Sequence, residues 1–128
     1  MTIPSAWREG HDPDEQFLAM PHPGGYISIL PPAEILKLQE KISAANLSDD
    51  DAQDLAAGFF AMTQTFAFDK QGRVGLIPEL LGHAGIQKDV VLAGAGKKFN
   101  LYSPSRWEKV EARLKGNGFG DLMRRYSI

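Results

Sequence analysis

The 128 residues, 43% apolar and 23% charged with 13 Gly, 8 Pro and no Cys, suffice for one ordinary globular domain or for two small repeats that share a core. Without cysteine there is no disulfide framework, no thiolate metal site and no cysteine nucleophile. No run approaches the roughly 18 uncharged apolar residues of a membrane-spanning helix, and Met1-Thr2-Ile3-Pro4 lacks the basic-then-apolar order of a leader, so a soluble, unprocessed, cytoplasmic protein is expected.

The formal net charge of -2 hides a division. Residues 1–54 carry ten acids against Arg8, Lys37 and Lys41, a balance of -7, whereas residues 55–128 carry six acids against eleven bases, a balance of +5. Such asymmetry is the pattern left by an anionic partner for the basic half, although solvated faces of opposite sign produce it equally well.

In chain order, Ile3-Pro4 and Leu18-Ala19 precede an alternating run, Tyr26-Ile27-Ser28-Ile29-Leu30. Pro31-Pro32-Ala33-Glu34 then opens a helix whose Ile35, Leu38 and Ile42 recur at helical spacing to about Ala45. Ser48, followed by Asp49, Asp50 and Asp51, caps a second helix with acids at its positive end; Leu55, Phe59 and Met62 supply its expected buried stripe. Phe66-Ala67-Phe68 and Val74 to Ile77 read as two strands joined by the tight loop Asp69-Lys70-Gln71-Gly72-Arg73, with Gly72 free to take positive φ. Val90 to Ala93 and Lys98 to Tyr102 are further β-rich runs. Ser103-Pro104 opens a last helix carrying Trp107, Val110 and Leu114, which stops before Gly116-Asn117-Gly118.

These elements occur twice in the same order. Ile3-Pro4, Leu18-Ala19, the Tyr26 run, a proline and the Ile35 helix correspond to Ile77-Pro78, Leu92-Ala93, Phe99-Asn100-Leu101-Tyr102-Ser103, Pro104 and the Trp107 helix, at an offset of 72 to 74 residues. Each unit reads strand, short helical turn, hairpin, helix. Neither has the apolar surface for a core of its own, so the two are expected to pair into one pseudo-symmetric domain. The second unit has an extra leading element, the Phe66–Ile77 hairpin, whose counterpart in the first unit would lie before Met1.

Asp69-Lys70-Gln71-Gly72-Arg73 followed by Ile77-Pro78, then His83-Ala84-Gly85-Ile86, Val90-Val91-Leu92-Ala93-Gly94, Phe99 and the Trp107 helix, resembles the second repeat of the MraZ family of bacterial transcriptional regulators. Thr2-Ile3-Pro4-Ser5-Ala6-Trp7-Arg8-Glu9 is similar to the segment that follows the first Asp-x-x-Gly-Arg of that family, so the likeness runs from Met1 to about Leu114. The resemblance implies an α+β fold of two AbrB-like swapped-hairpin repeats closing into a small pseudo-symmetric β-barrel with flanking helices. The expected division is a first repeat at 1–47, truncated at its start, a linking helix at 48–65, a second repeat at 66–115 and a C-terminal tail at 116–128.

It also implies a homo-oligomeric ring, associated with the nucleoid, that binds direct repeats in the promoter of the cell-division and cell-wall operon as a repressor. In that family the Arg of each Asp-x-x-Gly-Arg loop contacts DNA, which carries over to Arg73 alone. A guanidinium can bridge O6 and N7 of guanine or grip a phosphate bidentately, and a neighbouring Gly72 lets backbone approach closely. Lys70 would add a phosphate contact. Gly82 stands where the family has a basic residue four positions after the proline, and its first-unit counterpart, Arg8, keeps the charge. The candidate DNA-binding set is therefore Arg73, Lys70, Gly72 and Arg8. The missing first loop and Gly82 both lower the expected DNA affinity. The plainer reading of Asp69 and Arg73 is an ion pair clamping a hairpin; the rival reading of the chain is a ring-forming protein-interaction module without specific DNA binding.

Other signals point nowhere further. Gly94-Ala95-Gly96-Lys97-Lys98 lacks the Gly at position 91 and the Ser or Thr after lysine of a phosphate loop, and reads as a hairpin turn. His11, His22 and His83 have no metal-ligand spacing, the Asp49–Asp51 run lacks a calcium loop's central Gly and closing Glu, and no Ser, His and acid grouping suggests a triad. Arg113, Lys115, Arg124 and Arg125 make a basic tail, read as a solvated terminus in preference to a weak nucleic-acid footprint. Trp107, Phe59 and Phe99 lie at core spacing. No enzyme activity, metal, cofactor, small-molecule substrate or membrane partner is expected.

Overall fold

The computed structural model describes residues 1, 3, 8, 15–44 and 49–128. Among the described residues it is a mixed α+β structure with one five-stranded antiparallel sheet and five helices. In chain order these are β1 (Phe17–His22), β2 (Tyr26–Leu30), α1 (Pro32–Ser43), α2 (Asp50–Met62), β3 (Gln64–Phe66), α3 (Pro78–Ala84), β4 (Val91–Ala95), β5 (Lys98–Tyr102), α4 (Pro104–Leu114) and α5 (Gly118–Arg125). The strand order is β3-β1-β2-β5-β4.

The two hairpins meet at the centre of the sheet. β2 and β5 pair antiparallel through Ile27↔Leu101, Ser28↔Asn100 and Ile29↔Phe99. Position 28 therefore faces position 100, its equivalent 72 residues on, and a pseudo-twofold axis passes through that pair. The first hairpin has three loop residues between His22 and Tyr26, and the second has two between Ala95 and Lys98. This single extra residue makes the offset 73 in β1 and β4, where Ala19 and Leu92 pair with the equivalent Ile29 and Leu101.

Strand alternation sorts the side chains onto two faces. Ile27, Ile29, Phe99 and Leu101 belong to the core with Ile3, Phe17, Ala19, Phe66 and Val74; Leu80 and Ala84 of α3 and the following Ile86 complete it. α3 follows the second unit's loop in sequence, yet packs on β1 and β2 of the first hairpin. The opposite face carries Ser28, Leu30, Asn100 and Tyr102, also buried. Burial on both faces explains why the Tyr26 run has few polar positions, and Ser28 and Asn100 tolerate it because the Ser28 hydroxyl donates to Asn100 Oδ1 at 2.9 Å.

Several expectations are corrected. The sheet is open, not a closed barrel: β3 and β4 are its edges. Among the described residues the run Val74–Ile77, expected to be a strand, is not part of the five-stranded sheet, and strand-like pairing here is limited to an isolated bridge at Arg73. The Val74 N–H donates to Met1 O (2.7 Å), and the Ile77 N–H to the Gln64 side chain (2.8 Å). The paired part of Phe66-Ala67-Phe68 is only its first residue, with β3 beginning at Gln64. α2 is capped by Asp49, whose carboxylate accepts from the Asp51 N–H at 2.9 Å; the expected cap Ser48 lies outside the described residues. Leu55 is 68% exposed instead of buried, and α1, α2 and α4 bury no residue fully. The expected C-terminal tail contains a helix, α5, whose Arg124 pairs with Asp121.

Candidate nucleic-acid interface

The loop from Asp69 to Arg73 is organised by one carboxylate. Asp69 Oδ1 accepts the backbone N–H groups of Gln71 (2.9 Å) and Arg73 (2.7 Å), while Oδ2 accepts Arg73 Nε at 2.8 Å. The turn is closed by backbone bonds from the Gly72 N–H to Asp69 O (2.9 Å) and from the Asp69 N–H to Arg73 O (3.2 Å). An Asp at this position mimics a backbone turn, which is why the loop forms locally. The Arg73 backbone N–H, followed by its side chain and the Gln71 N–H, holds the Asp69 carboxyl below its usual range. Asp69 is thus ionised and acts as the loop's scaffold.

Arg73 is posed, not buried. Its guanidinium has five N–H donors in a planar fork; Nε goes to Asp69 and Nη2 to Gln71 Oε1 at 3.2 Å. The side chain remains 59% exposed. The ion pair therefore fixes the direction of the arginine while leaving donors for an outside acceptor. An exposed pair of this kind adds little stability by itself.

Gly72 is buried and has φ +74°. A Cβ there would overlap the guanidinium of Arg8, which lies directly over it. Arg8 is anchored in turn by Nε donating to Ile3 O at 3.1 Å, and the Ile3 N–H bonds to Gly72 O at 2.9 Å. The structure thus brings Arg8 and Gly72, 64 positions apart, to one place, next to Arg73 and the exposed Lys70. Three cations and one carboxylate share this loop. The cationic donors of such a cluster can hydrogen-bond a phosphate oxygen or the acceptor edge of a guanine.

A further support of the loop leaves no mark in the sequence pattern. Gln64 bridges the exit of the loop, donating from Nε2 to Gly75 O (2.7 Å) and accepting the Ile77 N–H. A polar residue at the start of a strand carries no distinctive pattern, so only tertiary contacts reveal it. Gly82 is exposed in α3, with open space around it. Lys97 is exposed in the β4–β5 turn, and Arg113, Lys115, Arg124 and Arg125 are exposed near the C-terminus.

A second cluster was equally hidden. His22 stacks on Tyr26 (4.2 Å between centroids, 12° between planes), Tyr26 contacts Tyr102, and Tyr102 contacts Trp107. Arg106 lies over the Tyr26 ring at 5.8 Å and donates from Nε to Gly24 O at 2.7 Å. His83 Nε2 meets His22 O at 2.6 Å, joining two histidines that are 61 residues apart. Burial, then the nearby Lys98, His83 and Arg106, lowers the pKa of His22, and its Nδ1 accepts the Gly24 N–H at 2.9 Å. Among the described residues no group of three or more His, Asp or Glu could hold a metal ion, and no helix is long and apolar enough to cross a membrane.

Comparison with known proteins agrees with the loop's pattern. Residues 59–125 match the family model described as "MraZ protein, putative antitoxin-like". The chain is 35% identical over 95 residues to a transcriptional regulator MraZ of Heliobacterium modesticaldum, covering 74% of this chain and 66% of that protein. It is 33% identical over 81 residues to the one from Thermomicrobium roseum, covering 63% and 57%. With that of Natranaerobius thermophilus it is 28% identical over 115 residues, covering 90% and 79%. The match thus spans just under two thirds of the first of these relatives and a smaller share of the second.

Proposed function

Since the chain belongs to the MraZ family, we propose that it is a DNA-binding transcriptional regulator whose contact with promoter DNA is made by the Asp69–Arg73 loop. The observation that carries this reading is the pose of Arg73, aimed by Asp69 and Gln71 yet 59% exposed, beside the Arg8 guanidinium. Arg73 reads a guanine edge or a phosphate, Lys70 adds a phosphate contact, and Gly72 keeps the backbone free of a side chain that would displace Arg8. The relatives' names support the regulatory role.

The finer parts of the reading follow from the family resemblance. The two units are AbrB-like repeats at 1–47 and 66–115, linked through 48–65 and followed by 116–128. Several copies form a ring, and each protomer engages one of several direct repeats in the promoter of a division and cell-wall operon, repressing it. A single loop makes few contacts; successive protomers raise the affinity because each later contact is effectively intramolecular. The work is done by occupancy at the nucleoid, with no catalysis, cofactor, metal or small-molecule substrate.

The test is a gel shift on the gene's own promoter over a salt series. Arg73→Ala should abolish the specific shift while sedimentation shows the same assembly. Each lost bidentate contact is worth about 1–3 kcal/mol, and several are lost at once in an oligomer. Lys70→Ala should weaken binding to all sequences and lower the salt slope by about 1. Unchanged binding by Arg73→Ala removes the role assigned to it. A second reading, a ring-forming interaction module without specific DNA binding, is favoured by the acidic first half and by Leu55 and Phe60, 68% and 63% exposed on α2; a chain that assembles but shifts no promoter fragment supports it.

A further inference from the structure

On the sheet face away from the core, the two ends of the central β2–β5 pair are finished differently. At one end the rings of Tyr26 and Tyr102 lie 4.7 Å apart, Trp107 of α4 contacts Tyr102, and Arg106 covers Tyr26. At the other end, one position beyond Ile29↔Phe99, stand Leu30 and Lys98. α1 packs on β1 and β2, and a cavity of about 420 Å³ opens between its Glu34, Lys37, Leu38 and Lys41 and the strands. That volume lies within the roughly 300–1,000 Å³ of small-molecule sites.

The cavity is rich in donors and poor in acceptors. Met20, Leu30 and Leu38 give it an apolar lining, and Lys37, Lys41 and Lys98 bring three ammonium groups. Among the described residues its one carboxylate is Glu34, held by Lys37 at 3.2 Å, so with His22 neutral the lining carries a net charge of +2. His22 offers a further donor: its Nδ1 accepts the Gly24 N–H at 2.9 Å, which puts the ring proton of the neutral form on Nε2. Lys98 is half-buried, and its charge is the first, after burial, of the causes that lower the His22 pKa. Positive charge is therefore in excess here, and an anion seated among these groups relieves their mutual repulsion.

We propose that this cavity binds a small phosphate monoester, as a ligand that is not turned over. Such an ester is a dianion above about pH 6, which matches the charge of the lining. The ammonium groups and the His22 Nε2–H donate to its phosphoryl oxygens, and Met20, Leu30 and Leu38 take its apolar or aromatic ester group. A DNA phosphodiester, with one charge per phosphate on an extended backbone, fits a concave, partly apolar site less well. The site is separate from the Asp69–Arg73 loop: that loop follows Phe66, which pairs with Phe17 at the start of β1, whereas His22 closes the other end of the strand.

The probe is phenyl phosphate, titrated into the full chain at mildly alkaline pH and followed by amide and methyl NMR. Saturable binding with a Kd of about 1 mM or below is expected, with shifts at Met20, Leu30, Leu38 and Lys98. In the complex the His22 ring should titrate at higher pH than in the free chain. Inorganic phosphate, which lacks the ring, and benzoate, which carries one charge, should each bind about tenfold more weakly. Lys41→Glu combined with Lys98→Gln should also cost about tenfold, while Arg113→Glu on α4, the same change of charge as Lys41→Glu, should leave binding intact. The proposal fails if the shifts stay linear in probe concentration, or if Arg113→Glu weakens binding as much as the paired variant. Equal binding of inorganic phosphate would mean an adventitious ion only, and overturns it. Displacement of phenyl phosphate by a short DNA duplex of unrelated sequence overturns it as well, since the lysines would then follow a nucleic-acid backbone; retention of the probe upholds it.

Discussion

The β1–β2 and β4–β5 hairpins share a layout but not a situation. The tip of the first is tied down from two sides. His83 on α3 meets the His22 carbonyl, and Arg106 on α4 holds the Gly24 carbonyl and covers Tyr26. Its outer edge is covered by β3. The second hairpin turns tightly at Gly96, φ +74°, and Lys97, both exposed, and among the described residues no strand pairs with its outer edge. Similar local sequence thus yields the same hairpin twice, and the surrounding elements decide which copy is locked. The lesson is that local sequence sets the geometry of each hairpin, whereas contacts with distant elements such as α3 and β3 decide how firmly the first one is held.

The comparison can be broken most forcefully at Leu80. This side chain of α3 is fully buried against the first hairpin, so Leu80→Ala should cost roughly 2–5 kcal/mol in denaturant unfolding. Leu92→Ala, at a half-buried position on β4, should cost clearly less; equal costs would show the two hairpins to be equally locked. Next in size is the pair on the axis. Asn100→Ala removes the acceptor of the buried Ser28 hydroxyl and should cost about 1–3 kcal/mol. A double-mutant cycle with Ser28→Ala should return a coupling near 1 kcal/mol, and a coupling of zero would mean that the hydrogen bond does not fasten the two units.

A smaller effect is expected at the locked tip. Arg106→Ala loses one hydrogen bond and one cation–aromatic contact, about 1–2 kcal/mol together, and should speed amide exchange at Gly24 and Gly25. Lys97→Ala at the open tip should change stability by less than about 0.5 kcal/mol. The smallest effect is pH dependence from His22, which faces Lys98, His83, Arg106 and Tyr26. Its folded pKa lies below the ordinary 6.5, so the unfolded chain binds the proton first as pH falls. Stability from this group is full above 6.5 and declines as pH drops from there through the lower folded value. Melting temperature should therefore fall across that window, and His22→Gln should flatten the fall; an identical slope in the variant assigns it to other groups.

Much of the site was legible because its logic is local. Asp69, Gly72 and Arg73 lie within five positions, and a short polar side chain, a glycine and a turn impose their geometry whatever surrounds them. The two hairpins and the helices after them were legible for a related reason, since strand alternation and proline helix starts are local signals. The path of Val74–Ile77 was not legible: its β-rich composition suits a strand, but pairing stops at an isolated bridge at Arg73 and the Gln64 side chain takes the Ile77 amide. Nor was α5, because Gly118 and Gly120 mask the helical spacing of Phe119, Leu122 and Met123 in a segment that reads as a solvated tail.

The sequence by itself determined the family, and the two hairpins, the helices that follow them and the turn from Asp69 to Arg73, which depend on contacts between near neighbours. Only the tertiary structure decided that α3 packs on the first hairpin, that Arg8 rests on Gly72, that Ser28 and Asn100 meet at the centre of the sheet, and that β4 is the last strand of the sheet among the described residues. Those outcomes depend on which distant groups win each backbone amide and each apolar surface, a competition that no single stretch of sequence can register.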